Sequence, residues 1–243
     1  MTDEQIEFRS DVTVELVRHS ASDADVLFAA RVSTQGEQTL EAASSGAEAS
    51  ERDRGLINYL MRDRHGSPFE HNSLTFYVQA PIFVFREFMR HRIASYNEES
   101  GRYRELRPVF YVPGPDRKLV QVGKPGAYEF EDGTAEQTAL VHDEVVAVCT
   151  QAYESYQRML EAGVAREVAR AVLPVTLYSS MYVTMNARSL MNFLSLRTKR
   201  EGTHFPSFPQ REIEMVAEKM EELWKPLMPM TAETFDQNGR VAP

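Results

Sequence analysis

Between Leu74 and Met89 the hydrophobic repeat changes from every second residue to one helical face, and only Pro81 separates the two patterns. Leu74, Phe76 and Val78 alternate with Thr75, Tyr77 and Gln79, which predicts a strand buried on one side. Pro81 fits the first position of a helix, where its missing N–H costs nothing. Beyond it, Ile82, Phe85, Phe88 and Met89 share a face at about 100° per residue, while Arg86, Glu87 and Arg90 take the other. A strand joined this tightly to an amphipathic helix calls for both kinds of element around one core.

The rest of the chain continues the mixture without a βαβ rhythm. Val12, Val14 and Leu16 alternate as a strand, and Ser22 is placed to cap a short helix through Arg31. Residues 34–50 are rich in Thr, Gln, Glu, Ala, Ser and Gly and read as a mobile loop. A helix follows over 51–64, with Leu56, Ile57, Leu60 and Met61 inward. Residues 97–102 break helical periodicity and read as a loop, and Gly114, Pro115, Gly123, Pro125 and Gly126 mark an irregular connection. A long helix is expected over 135–162, closed by Gly163. A short one over 166–173 stops at Pro174, and 175–184 fits either a strand or a buried helical segment. Asn186 can cap a helix to Arg197. Pro206 and Pro209 punctuate a loop, and 210–225 is amphipathic. The expectation is an α+β fold, an antiparallel-type sheet packed with long helices. A single domain is predicted over 11–230, with a disordered N-terminus at 1–10 and a C-terminal tail at 231–243.

Composition excludes several classes. The 243 residues are 42% hydrophobic, enough for a sizeable core. No run of about 18 apolar residues suggests a membrane span. The polar start lacks the apolar stretch of a signal peptide. The lone Cys149 cannot form an internal disulfide, which points to a reducing cytoplasm. It sits in the long predicted helix and reads as a small buried hydrophobe rather than a thiolate nucleophile. A net charge of −9 argues against a protein that wraps nucleic acid. No G-x-G fingerprint marks a Rossmann site for a dinucleotide. His65 and His71 are too isolated for a metal site, and none is expected.

Against this acidic background, residues 90–107 carry five arginines (90, 92, 102, 104 and 107) and three glutamates (98, 99 and 105), a local charge of +2. Arg90 and Arg92 fall on opposite sides of the helix, about 160° to 200° apart, and cannot easily grip one phosphate together. Ser100, Gly101 and Arg102 add a hydroxyl, a backbone open to close approach and a charged fork, a combination that suits a nucleotide phosphate. Charge alone describes a solvated basic turn equally well. Identity and spacing separate the two readings.

Arg90-His91-Arg92, seven residues, then Ser100-Gly101-Arg102-Tyr103, with Asn97 and Glu98 between, resembles the signature of the flavin-dependent thymidylate synthases. Further blocks resemble that family in order: Ala30 to Ser33, Ser67-Pro68-Phe69-Glu70-His71, Arg166 to Arg170, and Asn186 to Asn192. The resemblance implies an enzyme that converts dUMP to dTMP. Methylenetetrahydrofolate is the implied one-carbon donor, and NADPH-reduced FAD the implied hydride source. It also implies a homotetramer with FAD at subunit interfaces. Residues matching the FAD contacts are Ser33, Ser67, Glu70, Arg90, His91, Arg92, Asn97, Glu98, Asn186, Arg188 and Asn192. Those matching the dUMP contacts are Glu87, Arg90, Glu98, Ser100, Gly101, Arg102, Arg170 and Arg197. His65 matches a histidine near flavin and folate, and Arg197 is the candidate catalytic group that polarises the uracil edge. Two features depart from the family. Glu87 stands where glutamine is common, and the stretch after Arg197 is longer, so His204 takes no role.

The residues also agree with the resemblance directly. On the helix from Asn186, Arg188, Asn192 and Ser195 form a polar stripe opposite Ala187, Leu190 and Leu194. Arg197 at its end is favourable next to the helix dipole in any case. Two rivals stay open: a nucleotide- or flavin-binding regulator without turnover, and an RNA-binding module using residues 90–107. The acidic total and the lack of interleaved aromatics disfavour the second.

Overall fold

The computed structural model describes residues 5–39, 50–124 and 127–243. The elements run β1 (Glu7–Arg9), β2 (Thr13–Ser20), α1 (Asp23–Gln35), α2 (Glu51–Arg62), a 3-10 turn (Ser67–Glu70), β3 (Ser73–Pro81), α3 (Ile82–Phe88) and β4 (Ser95–Glu98). Next come β5 (Val109–Tyr111), β6 (Val120–Lys124), β7 (Ala127–Glu131), α4 (Ala135–Glu161), α5 (Arg166–Ala169) and a second 3-10 turn (Arg170–Val172). The chain closes with β8 (Tyr178–Met185), α6 (Ala187–Arg197), α7 (Arg211–Trp224) and α8 (Pro229–Gln237). The fold is α+β, with an antiparallel sheet in the strand order β2-β3-β8-β4. β1 and β5 form a separate parallel pair, and β6 and β7 a separate antiparallel hairpin.

Two compact units emerge, and their segments interleave. One takes the described residues up to Thr13, Gln79–Arg90 and Asn97–Met181. The other takes the described residues of Val14–Val78, with His91–Tyr96 and Tyr182–Pro243. Residues of β2, β3, β4 and β8 are divided between the two units.

The first unit is organised by α4. Thr134 and Gln137 cap it reciprocally: the Thr134 hydroxyl accepts from the Gln137 N–H at 3.2 Å, and the Gln137 side chain accepts from the Thr134 N–H at 2.8 Å. Gly163, at φ +79°, lies just past its end. Along its inner face Cys149, Tyr153 and Tyr156 are buried with Leu106, Phe110, Ala169 and Leu177. Fully burying a side chain of this size contributes about 1.5–3 kcal/mol.

The second unit is mostly helical. Ser50 and Asp53 form a capping box at the start of α2, and Asn186 caps α6 by accepting from the Ser189 N–H at 2.9 Å. Buried Asp23 accepts from the N–H groups of Met230 and Thr231 at 2.8 and 2.9 Å, and from the Thr231 hydroxyl at 2.6 Å. A carboxylate with these donors neutralises the orphan amides at the start of α8.

Several local expectations change. Pro81 ends β3 and caps α3 rather than opening it, and α3 stops at Phe88. Arg90 and Arg92 therefore lie beyond the helix, and the opposed-face argument for them falls. Asn97 and Glu98 sit in β4 rather than a loop. The irregular connection holds the β6–β7 hairpin, with Pro125 and Gly126 outside the described residues. Glu7–Arg9, expected to be disordered, pair with β5. Residues 231–243, expected as a tail, include most of α8 and a buried Arg240 held by Glu221, Asp236 and Thr198. α1 extends past Arg31 to Gln35, and most of the loop expected over 34–50 lies outside the described residues.

Candidate active site

In the first unit the segment after β4 turns sharply. The Ser100 carbonyl accepts from the N–H groups of Tyr103 and Arg104, and its hydroxyl accepts from the Arg102 N–H at 3.3 Å. Glu99 N–H donates to the Ser180 carbonyl at 2.8 Å, tying the turn to β8. Gly101 is buried where a Cβ would stand 2.8 Å from the Leu106 side chain and 3.1 Å from that of Arg170, so any larger residue would have to push Leu106 aside. Leu106 is in turn held from α4: its N–H donates to the Tyr156 hydroxyl at 3.3 Å, and its carbonyl accepts from the Tyr153 hydroxyl at 3.5 Å. The loop is thus positioned by two buried tyrosines that the sequence reading did not single out. Their signal is available in hindsight, since a tyrosine on an apolar helix face brings a hydroxyl that needs a partner.

Of the nucleotide-matched side chains, Arg170, Glu98 and Arg102 belong to this turn and its neighbours. Arg170 opens the second 3-10 turn and packs its stem against Gly101. Glu98 keeps exposed surface, yet enough protein crowds its carboxyl that burial raises its pKa. Neighbouring Glu99 adds to this, while a Ser179 hydrogen bond and the Arg170 charge oppose it. Arg102 is exposed and pairs with Glu167 at 2.9 Å. Glu87 lies on α3, and exposed Arg90 follows the helix with no side-chain hydrogen bond or ion pair among the described residues.

The flavin-matched side chains are chiefly in the second unit. The 3-10 turn carrying Ser67 and Glu70 packs against α1, which carries Ser33, and against α6, which carries Arg188 and Asn192. Ser33, Ser67, Glu70, Arg188 and Asn192 are all exposed. Arg188 bonds to Glu70 and to the Pro243 carbonyl, and its guanidinium fills the space where a Gly66 Cβ would lie, at 2.5 Å. His65 stacks on Tyr59, with ring centroids 5.5 Å apart. Exposed Arg92 follows His91. These residues fit a flavin dinucleotide in their chemistry: cations, hydroxyls and amides on one exposed face, with a glycine cradle under the key arginine. Asn97 and Glu98, also matched to FAD, belong to the first unit.

Another grouping in the second unit centres on His91. Its Nε2 accepts a hydrogen bond from Arg197 Nε at 3.0 Å. Its ring meets Phe193 edge-on at 4.9 Å, and its carbonyl accepts from the Tyr96 hydroxyl at 2.6 Å. Burial pushes the Tyr96 phenol up to about 12.

Cys149 is no candidate nucleophile. It is buried, its Sγ lies 3.3 Å from the Thr176 hydroxyl, and burial raises its pKa. His204 sits in its loop with its N–H on the Gly239 carbonyl. No helix among the described residues is long and apolar enough to cross a membrane.

Residues 15–230 match the family model described as thymidylate synthase complementing protein. A flavin-dependent thymidylate synthase from Streptomyces avermitilis is 69% identical over 237 residues, covering 97% of this chain and 95% of the relative. One from Tropheryma whipplei is 62% identical over 236 residues, covering 97% of each. Among solved structures, a UMP/dUMP methylase from Streptomyces cacaoi bound with 5-Br dUMP aligns with a TM-score of 0.91 at 56% identity. That alignment covers 98% of this chain and 100% of the other. A structure of the same methylase bound with 5-Br UMP aligns at 0.89.

Proposed function

Because the chain belongs to the flavin-dependent thymidylate synthase family, we propose that it methylates dUMP to dTMP, with FAD as its flavin, NADPH as reductant and methylenetetrahydrofolate as the one-carbon donor. The observation that carries this reading is the convergence of Glu98, Ser100, Gly101 and Arg102 with Arg170, which comes from a distant segment, inside one compact unit.

Arg102 and Arg170 supply cationic donors for the nucleotide phosphate, and Arg90 adds an open guanidinium. Gly101 lets backbone approach the nucleotide closely, and Ser100 contributes a hydroxyl. Arg197 stabilises negative charge on the uracil edge as it reacts. FAD, once reduced by NADPH, would supply the hydride. Ser33, Ser67, Glu70, Arg90, His91, Arg92, Asn97, Glu98, Asn186, Arg188 and Asn192 would contribute contacts to it, and His65 would serve the flavin and folate. Asn186 also serves its own helix as cap. No side chain acts as nucleophile on uracil: Cys149 is buried with its pKa raised, and Ser100 Oγ accepts a hydrogen bond from the Arg102 amide. The active form is a homotetramer in the cytoplasm, with flavin shared between subunits.

The test is thymidylate formation by purified, yellow protein given dUMP, NADPH and methylenetetrahydrofolate, with light scattering alongside. Flavin absorbance with no product from any nucleotide would leave a regulator instead. A fully active monomer would remove the tetramer. The solved relative binds a ribonucleotide analogue as well as a deoxyribonucleotide analogue, so UMP belongs in the same assay. Turnover of UMP alone would replace thymidylate synthesis with uridylate methylation.

A further inference from the structure

We propose that His91 is a positioning residue for Arg197, acting on the reaction through that arginine's orientation in addition to any flavin contact. The inference rests on the base-polarising reading of Arg197 given above.

Arg197 lies in the last turn of α6, where a long side chain has several free torsions. Its Nε donates to His91 Nε2 at 3.0 Å. The guanidinium is planar and delocalised, so fixing Nε and its bond direction restricts the plane of the whole group. A bond through one terminal nitrogen would leave that plane free to swing. Lysine has no counterpart to this inner N–H.

The acceptor is itself held at two further points. Phe193, fully buried and one helical turn before Arg197, meets the His91 ring edge-on at 4.9 Å. The Tyr96 hydroxyl holds the His91 carbonyl at 2.6 Å. α6 therefore presents Phe193 and Arg197 on one face, and His91 engages both. Accepting at Nε2 requires a lone pair there, so His91 is neutral with its proton on Nδ1. A histidine protonated at Nε2 would point an N–H at the N–H of Arg197.

The experiment uses the flavin-loaded enzyme. His91→Leu removes the acceptor, whereas His91→Gln can bring a carbonyl oxygen close to the place of Nε2. The expected result is a fall in kcat of about tenfold or more for His91→Leu, with KM for dUMP changed less than about threefold, and recovery of most of kcat in His91→Gln. Flavin absorbance in each variant reports separately on cofactor binding. In the Arg197→Ala background, with both variants saturated with FAD, His91→Leu should cost nothing further in kcat. A readout independent of turnover is nitrogen NMR of labelled histidine: His91 Nε2 should appear unprotonated, and its resonance should move in Arg197→Ala.

Unchanged kcat in a folded, flavin-bearing His91→Leu overturns the inference while leaving Arg197 in place. So do additive losses in the double variant, or a protonated Nε2. Should His91→Leu fail to fold or to hold flavin, a His91→Gln variant that folds, binds flavin and still loses kcat as fully as Arg197→Ala also overturns it. Wild-type turnover in Arg197→Ala instead removes the base-polarising reading itself.

Discussion

In the first unit the nucleotide-matched arginines hang from a firmly held backbone and are largely open. In the second, the flavin-matched Arg188 and Glu70 are paired, as are His91 and the candidate catalytic Arg197. Gly101 is wedged between Leu106 and Arg170, and Tyr153 and Tyr156 grip the Leu106 backbone, yet Arg90 has no side-chain hydrogen bond or ion pair among the described residues, and Arg102 has an exposed pair. Arg188 instead bonds to Glu70 and Pro243, and Arg197 to His91. Open guanidiniums on a fixed loop suit an anionic substrate that arrives and leaves each cycle. Pre-tied side chains suit a resident cofactor and a reacting edge that must be met in one geometry.

The largest expected effect tests whether Arg170 of the first region serves the nucleotide rather than the flavin. Arg170→Ala should weaken dUMP binding by roughly 10- to 150-fold, corresponding to about 1.5–3 kcal/mol for a charged hydrogen bond. Flavin absorbance should be unaffected. Titration with dUMP checks this, and equal loss of both ligands would erase the distinction between the regions. Arg102→Ala should follow the same pattern with a smaller loss.

Gly66→Ala tests the second region. Its Cβ would stand 2.5 Å from the Arg188 guanidinium, the far end of a flexible side chain. The fold should survive while Arg188 moves, and FAD affinity should drop by about tenfold with dUMP affinity of the apoprotein retained. Fluorescence titration with FAD decides it. Undiminished affinity would mean that Arg188 does not need its present placement.

A smaller effect of opposite sign is expected at Glu167, which pairs with Arg102 at 2.9 Å and on the proposed reading would compete with the phosphate for it. The pair is more than half exposed on both sides, so it is worth only about 0–1 kcal/mol, and Glu167→Gln should tighten dUMP binding by no more than about fivefold. Weaker binding would instead give Glu167 a direct part in holding the nucleotide.

The smallest effect concerns pH and the helical unit. Asp53 has its pKa lowered, chiefly by the Ser50 backbone N–H and also by the Ser50 hydroxyl and Arg31, against a desolvation that raises it. A depressed folded pKa means that its stabilisation is complete above the unfolded carboxylate value of about 3.9 and is lost as pH falls through the lower folded value. The Tm difference between wild type and Asp53→Asn should therefore be constant near neutrality and shrink below about pH 4. A gap that stays constant to pH 3 would contradict the assignment.

Much of this molecule was legible before any coordinates. Period-two and helical patterns marked β2, β3, α4, α6 and α7, because they arise from residues a few positions apart that share one face. Ser22, Asn186 and Gly163 stood at helix ends for equally local reasons. The signature from Arg90 to Tyr103, read as a string of identities, pointed to the family now shown by residues 15–230. Tertiary structure decided what depends on distant partners. β4 exists because Ser95–Glu98 finds β8, β1 because Glu7–Arg9 finds β5, and α8 begins where Asp23, more than 200 residues earlier, supplies its cap. Strand pairing and capping by a remote carboxylate leave no periodic trace in the segment that receives them. The same holds for function: which arginines stay open and which are tied, and the bond between His91 and Arg197 across 106 residues, follow from how the chain closes on itself.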